Sequence, residues 1–314
     1  MPVFKIHHIT QYEYDRPVKE SVSQLRVYPI ANSLQQVNAF DLQITGEPNV
    51  AVHTDFYGNT VGDFSVLQAH QKLTIDSRLT VETTELADVE PKGELFPHDL
   101  KELISGDISL LRLAEPERIK EQWMIEEIID HLQLKGKTIT EIAWDCNTFI
   151  YLQFKYVKGI TTVGTTVDEI LHHRSGVCQD FAHVMLQILR TLGIPARYVS
   201  GYICPNKSGL RGEGATHAWV EFYYPPQGWV GIDPTNNVWV NGYHVVLATG
   251  RDFNDCTPVK GTFKGVARQN LSVYVSVGYE DGHVFEEVNQ VKLEGAPEDE
   301  LEPWQSDWMQ AQQQ

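Results

Sequence analysis

The chain has 314 residues, 42% of them hydrophobic, enough for a well-buried core and long enough for two domains. Its 42 acidic against 25 basic residues give a formal charge of -17. That balance argues against nucleic acid as a partner and is read either as solubility or as a field for cationic, lysine-rich substrates. Cys146, Cys178, Cys204 and Cys256 are widely spaced, so neither a disulfide framework nor a structural zinc site is expected, and a reducing compartment is. The start, Met1-Pro2-Val3-Phe4-Lys5, has no apolar signal-like region, and no apolar run is long enough to span a bilayer. The expectation is a cytoplasmic protein with no membrane contact.

Residues 3–84 alternate in short segments, among them 6–12, 39–44 and 73–81, separated by turns at Gly46-Glu47-Pro48-Asn49 and Tyr57-Gly58-Asn59-Thr60. This predicts a small β-sandwich domain over 1–84. An acidic linker over 85–110, punctuated by Pro91, Gly93 and Pro97, contains a short helical piece. A catalytic domain then runs over 111–294. Its helices are predicted over 115–134 and 138–154, the second opened by a capping box of Thr138 and Glu141. A third begins near Thr166. From Cys178 to Leu192, the residues Phe181, Val184, Met185, Ile188, Leu189 and Leu192 make one apolar stripe, and Gly193-Ile194-Pro195 ends it.

Beyond Pro195 the period becomes two. Strands are predicted over 197–203, 216–223 and 229–233, with a polar loop over 205–214 and further strands over 271–277 and 283–291. Helices followed by an antiparallel sheet make the fold class α+β. The acidic, glutamine-rich tail over 295–314 is expected to be mobile.

The chemistry centres on Gly176-Val177-Cys178-Gln179-Asp180-Phe181-Ala182. Cys178 falls in the first turn of its helix, where the partial positive charge favours the nucleophilic thiolate. Such a nucleophile needs a base and a group to orient that base. His217 lies on a predicted strand with Trp219 and Glu221 on the same side. A hairpin about Pro225-Pro226-Gln227-Gly228 would set 217 and 233 nearly opposite, since 225 minus 8 is 217 and 225 plus 8 is 233. Asp233 could then fix the tautomer of His217. Taken singly, each residue also fits a plain structural role: Cys178 a small core residue, His217 a satisfied strand histidine, Asp233 an Asx turn before Pro234-Thr235. Their coincidence is the stronger signal. His172, His173, Cys178 and His183 have no metal-ligand spacing, and there is no acidic calcium loop, so no metal or cofactor is expected.

In order and spacing, Gly176 to Ala182, Leu192-Gly193-Ile194-Pro195-Ala196-Arg197, Val199-Ser200-Gly201-Tyr202, His217-Ala218-Trp219-Val220-Glu221 and Asp233-Pro234-Thr235 resemble the transglutaminase-like superfamily. Gly250-Arg251-Asp252-Phe253 resembles a segment that follows in bacterial members. The stretch with His8, Tyr12, Tyr14 and Asp55-Phe56-Tyr57-Gly58-Asn59 resembles the β domain that precedes the core in them. The resemblance implies a papain-like core with Cys178, His217 and Asp233 as the triad. It implies acyl transfer at amide bonds of a protein or peptide through a thioester. Hydrolysis is the first reading, with glutamine crosslinking and a non-catalytic binding module as alternatives. The oxyanion needs donors. The backbone N–H of Cys178 is one, and an upstream aromatic residue is the other, by analogy with a tryptophan in animal transglutaminases. Tyr156 is preferred to Trp144, which sits in an apolar helix stripe. Gln179 and Trp219 are assigned to substrate positioning, Trp219 by packing over the triad.

Overall fold

The computed structural model describes residues 2–84, 90–162, 164–204, 211, 216–279 and 284–287. Strands come first: β1 (Val3–Val18), β2 (Glu20–Leu25), β3 (Gln35–Ile44), β4 (Ala51–Thr54), β5 (Thr60–Val66) and β6 (His70–Thr83). Helices follow: α1 (Pro97–Leu103), α2 (Ile108–Ala114), α3 (Gln122–His131) and α4 (Ile139–Gln153). The central stretch carries β7 (Lys155–Tyr156), α5 (Val167–His173), β8 (Ser175–Gly176) and α6 (Cys178–Thr191). Then come β9 (Ala196–Ile203), β10 (Thr216–Tyr224), β11 (Gly228–Asp233), β12 (Val238–Trp239) and β13 (His244–Gly250). The remainder is α7 (Phe253–Cys256), β14 (Val259–Lys264), β15 (Gln269–Tyr279) and β16 (Val284–Glu287).

The N-terminal strands form as the alternation predicts. Along β1, Phe4, Ile6, His8, Thr10, Tyr12 and Tyr14 point inward while their neighbours are more exposed. Strands from the end of the expected 111–294 stretch pair with strands of the expected β domain, 1–84. β15 runs antiparallel along β1, from Phe4↔Tyr279 to Tyr14↔Gln269, and β14 pairs with β2. The two sheets of this region are therefore β16-β15-β1-β6-β3 and β14-β2-β5-β4. β1 has β6 on one side only, and its other edge is covered by a strand more than two hundred and fifty positions later. Local alternation identifies such a strand but not its partner.

The second unit is a sheet of order β12-β11-β10-β9-β13 with α6 packed on β10 and β9. The apolar stripe of α6 is buried as predicted, with Phe181, Val184, Met185, Ile188 and Leu189 fully enclosed. Tyr202, Val245 and Leu247 of this sheet, with Cys204 just past the end of β9, join the core of the N-terminal strands. The Asp55–Asn59 turn explains itself here. Asn59 donates through Nδ2 to the Thr249 carbonyl (2.7 Å) and accepts from the Thr249 N–H (2.8 Å). Gln35 does the same to Val246, at 3.0 and 2.7 Å. Both side chains act as surrogate strand edges and brace β13.

The helix expected over 115–134 begins later, at Gln122. Pro116 disfavours helix at Glu115, which is extended (φ -82°, ψ 122°). The Asp168 carboxylate accepts the Lys120 and Glu121 N–H groups just ahead of α3. α4 starts with the expected capping box of Thr138 and Glu141. The loop over 205–214, apart from Arg211, and the tail over 295–314 lie outside the described residues, as do 85–89 of the linker; of the strand over 283–291, Val284–Glu287 is seen. Among the described residues no helix is long and apolar enough to cross a membrane.

Candidate active site

Cys178 is the first residue of α6, and Val177 before it is extended (φ -115°, ψ -174°). No side chain of Val177 can cap the helix, so the next turn does the work. Asp180 Oδ2 accepts the Val177 N–H at 2.7 Å and the Thr161 hydroxyl at 2.7 Å. Gly176 is required for this reach: a Cβ there would lie 2.4 Å from Asp180 Oδ2. On the other side β7 and β8 pair in parallel, Lys155↔Ser175 and Tyr156↔Gly176. The approach to Cys178 is thus fixed from two directions. Burial pushes the Asp180 carboxyl up, opposed by the Thr161 and Val177 donors. Asp180→Ala should lower stability by about 1–3 kcal/mol, the cost of orphaning a buried N–H. Asp180→Asn, which keeps an acceptor, should recover most of it in urea unfolding.

Cys178 differs from the other three thiols. Cys146, Cys204 and Cys256 are fully buried, and burial pushes each of them up, whereas Cys178 is partly exposed. It lines a small pocket with Gln179, Tyr198, Ser200, Thr216 and His217.

His217 donates from Nε2 to Asp233 Oδ2 at 2.8 Å, and both side chains are fully enclosed. The hairpin register differs from expectation. Tyr224 faces Gly228 and Val220 faces Ile232. Continued one step, Asp233 lies across from Trp219, so His217 and Asp233 are diagonal neighbours on one face. His217 Nδ1 has no hydrogen-bond partner among the described residues. Burial alone would lower this imidazole, but the charges of Asp233 and then Cys178 outweigh it and push it up to about 10. Burial would likewise raise the Asp233 carboxyl; His217 first and His244 next overcome that and hold it far below the usual carboxylate range. The arrangement can therefore stabilise an imidazolium beside a thiolate and pass its Nδ1 proton to a leaving group.

Asp233 has further donors. Oδ1 accepts the Thr235 N–H (2.9 Å), and Oδ2 accepts Asn236 Nδ2 (2.7 Å) and, more distantly, His244 Nε2 (3.4 Å). Trp219 is fully buried, lies over His217 at 6.2 Å and 29°, and meets His244 edge-on at 5.2 Å. Gly201 leaves room for that indole, since a Cβ would come within 2.7 Å of it and 2.0 Å of the Val245 carbonyl. His217, Asp233 and His244 offer ligand atoms within 4.8 Å of one another. A metal ion would have to displace two hydrogen bonds in an enclosed site, so the fit is poor.

Of the other residues picked from sequence, Gln179 lines the pocket. Tyr156 sits beside the Cys178 loop with its ring edge on Phe181, 6.2 Å away. Trp144 is not core: it is 37% exposed and stacks on Trp239 at 5.5 Å. Sequence reasoning missed Tyr198 and His244. The run Val245-Val246-Leu247-Ala248-Thr249 was a legible strand signal that would have flagged His244; nothing marked Tyr198 beyond its parity with Ser200 on β9.

A profile described as the transglutaminase-like superfamily matches residues 128–234, and one described as the bacterial transglutaminase-like N-terminal region matches 4–82. An uncharacterised Mycobacterium tuberculosis protein is 32% identical over 275 residues, covering 82% of this chain and 86% of that one. A Pseudomonas aeruginosa protein-glutamine gamma-glutamyltransferase is 41% identical over 97 residues, 29% of this chain but 14% of that enzyme. A Cytophaga hutchinsonii protein, solved as a candidate cysteine protease, superposes with a TM-score of 0.69 at 22% identity, covering 93% of this chain and 96% of that one. At that identity the likeness speaks for the fold.

Proposed function

Because the chain belongs to the transglutaminase-like superfamily, we propose that it is a cysteine-dependent enzyme that transfers acyl groups from amide bonds through a thioester. Supporting this above all is the His217 Nε2 to Asp233 Oδ2 bond of 2.8 Å, which leaves Nδ1 unpartnered beside Cys178. In this reading Cys178 Sγ attacks the carbonyl carbon of a protein or peptide substrate. The tetrahedral oxyanion takes the Cys178 N–H and a hydroxyl donor. Tyr198 shares the pocket, and burial, then the Cys178 charge, hold its phenol protonated. It is better placed for this than Tyr156. His217 gives its Nδ1 proton to the departing amine and later takes one from the incoming acceptor. Gln179 lines the substrate side, and Trp219 keeps water from the imidazole.

Water is the proposed acceptor, making the enzyme an amidase or peptidase. A second reading, crosslinking of glutamine to amines, draws on the likeness of the core to the Pseudomonas aeruginosa transferase. Incubation with a glutamine-containing peptide and a labelled primary amine separates them. Free acid with little label incorporated is the expected outcome; incorporation without free acid would overturn hydrolysis in favour of transfer.

A further inference from the structure

We infer that His244 is a positioning residue for this site, pinning the Asp233 carboxylate from the far edge of the sheet so that His217 stays aligned with Cys178. The inference rests on the acyl-transfer reading above. His244 opens β13, at the opposite edge from β11 and β12. Its tautomer is fixed locally: Nδ1 accepts the Asn241 N–H at 3.3 Å, so the ring proton is on Nε2 and directed at Asp233 Oδ2, 3.4 Å away. The other donors to Asp233 do not provide this restraint. Thr235 and Asn236 belong to its own turn and move with it, and His217 is the group to be aligned. Among the described residues, and His217 apart, His244 alone brings a donor from a separately anchored strand, the one braced by Gln35 and Asn59.

The ring is enclosed, with Trp219 edge-on at 5.2 Å and His217 at 6.3 Å. Among the described residues, the titratable and charged groups around this cluster include His217 from β10, Cys178 from α6, Tyr198 from β9, Asp233 from β11, and Arg211, which reaches the Thr235 carbonyl. A histidine present only to fill space would be replaceable by any ring of similar size.

The test measures iodoacetamide alkylation of Cys178 against pH in the full-length wild type, His244→Phe and His244→Gln, with the site read by peptide mass spectrometry. The Gln amide can set an N–H where Nε2 stands; Phe cannot. Wild-type Cys178 should be alkylated faster near pH 6 than the fully buried Cys146, Cys204 and Cys256. His244→Phe should lose about 10-fold in the Cys178 rate near pH 6, the effect expected of one hydrogen bond to a charged group. His244→Gln should recover most of the rate. If His244→Phe fails to fold, His244→Asn replaces it, since that shorter amide reaches only the Nδ1 position and should be slow. Wild-type behaviour in His244→Phe, or equal loss in Gln and in Phe or Asn, would overturn the inference while leaving the acyl-transfer reading intact. A wild-type Cys178 alkylated no faster than the three buried cysteines would overturn both.

Discussion

Cys178→Ala is expected to abolish turnover, by about 10⁴-fold or more, while the protein keeps its unfolding midpoint. The two halves of that result come from different facts. Removing the sulfur removes the nucleophile of the proposed thioester, and residual catalysis from oxyanion donors and binding alone is orders of magnitude lower. The thiol is partly exposed at a helix start and packs only against the margin of the core, unlike the fully buried Cys146 or Cys256, so stability should change by less than about 1 kcal/mol. Cys178→Ser should be nearly as inactive, because His217 is set to hold a proton rather than to strip one from a hydroxyl. Hydrolysis assays paired with urea unfolding check both halves.

Asp233→Ala should do what Cys178→Ala does not: lose activity by about 10³–10⁴-fold and destabilise the fold by about 3–5 kcal/mol. The carboxylate is the common acceptor for His217, Asn236, Thr235 and His244, all within a dry site. Its loss strands an imidazole and three further donors. The pH dependence carries a sign. The His217 pKa is raised in the fold, so its stabilising contribution is complete below the unfolded value of 6.5 and is lost as pH rises through about 10. The Asp233 pKa is lowered, so its contribution is present above the unfolded 3.8 and falls only in strong acid. Wild-type stability should therefore decline between about pH 6.5 and 10 more steeply than that of Asp233→Ala. Urea midpoints across that range decide it; parallel curves would mean that His217 and Asp233 do not hold each other as argued.

Much of this site could be read before any coordinates. The Cys178 helix was legible because its stripe, its Gly-Ile-Pro stop and its abrupt start are all local features. His217 and Asp233 were legible because strand parity survives a register error: the hairpin is centred one position later than expected, which moves each partner by two, so both residues still share a face. What stayed hidden depends on long-range pairing. Nothing near Gln269–Tyr279 says that it closes against β1, so the sheet it joins is not legible from local alternation. Trp144 followed the helical period but found Trp239 rather than the core. His244 begins a strand that local alternation supports, but its value comes from a carboxylate across the sheet. The Asp55–Asn59 turn was visible as a turn; its docking on Thr249 was not.

The proposed chemistry requires a reactive Cys178 beside a proton-holding His217, and selective alkylation tests that most directly. Wild type and His217→Ala are treated with limiting iodoacetamide near pH 6, and all four cysteines are mapped by mass spectrometry. Cys178 should carry essentially all the label in the wild type and lose most of its rate in His217→Ala. Label spread over Cys146, Cys204 and Cys256, or a Cys178 rate that ignores the loss of His217, would contradict it.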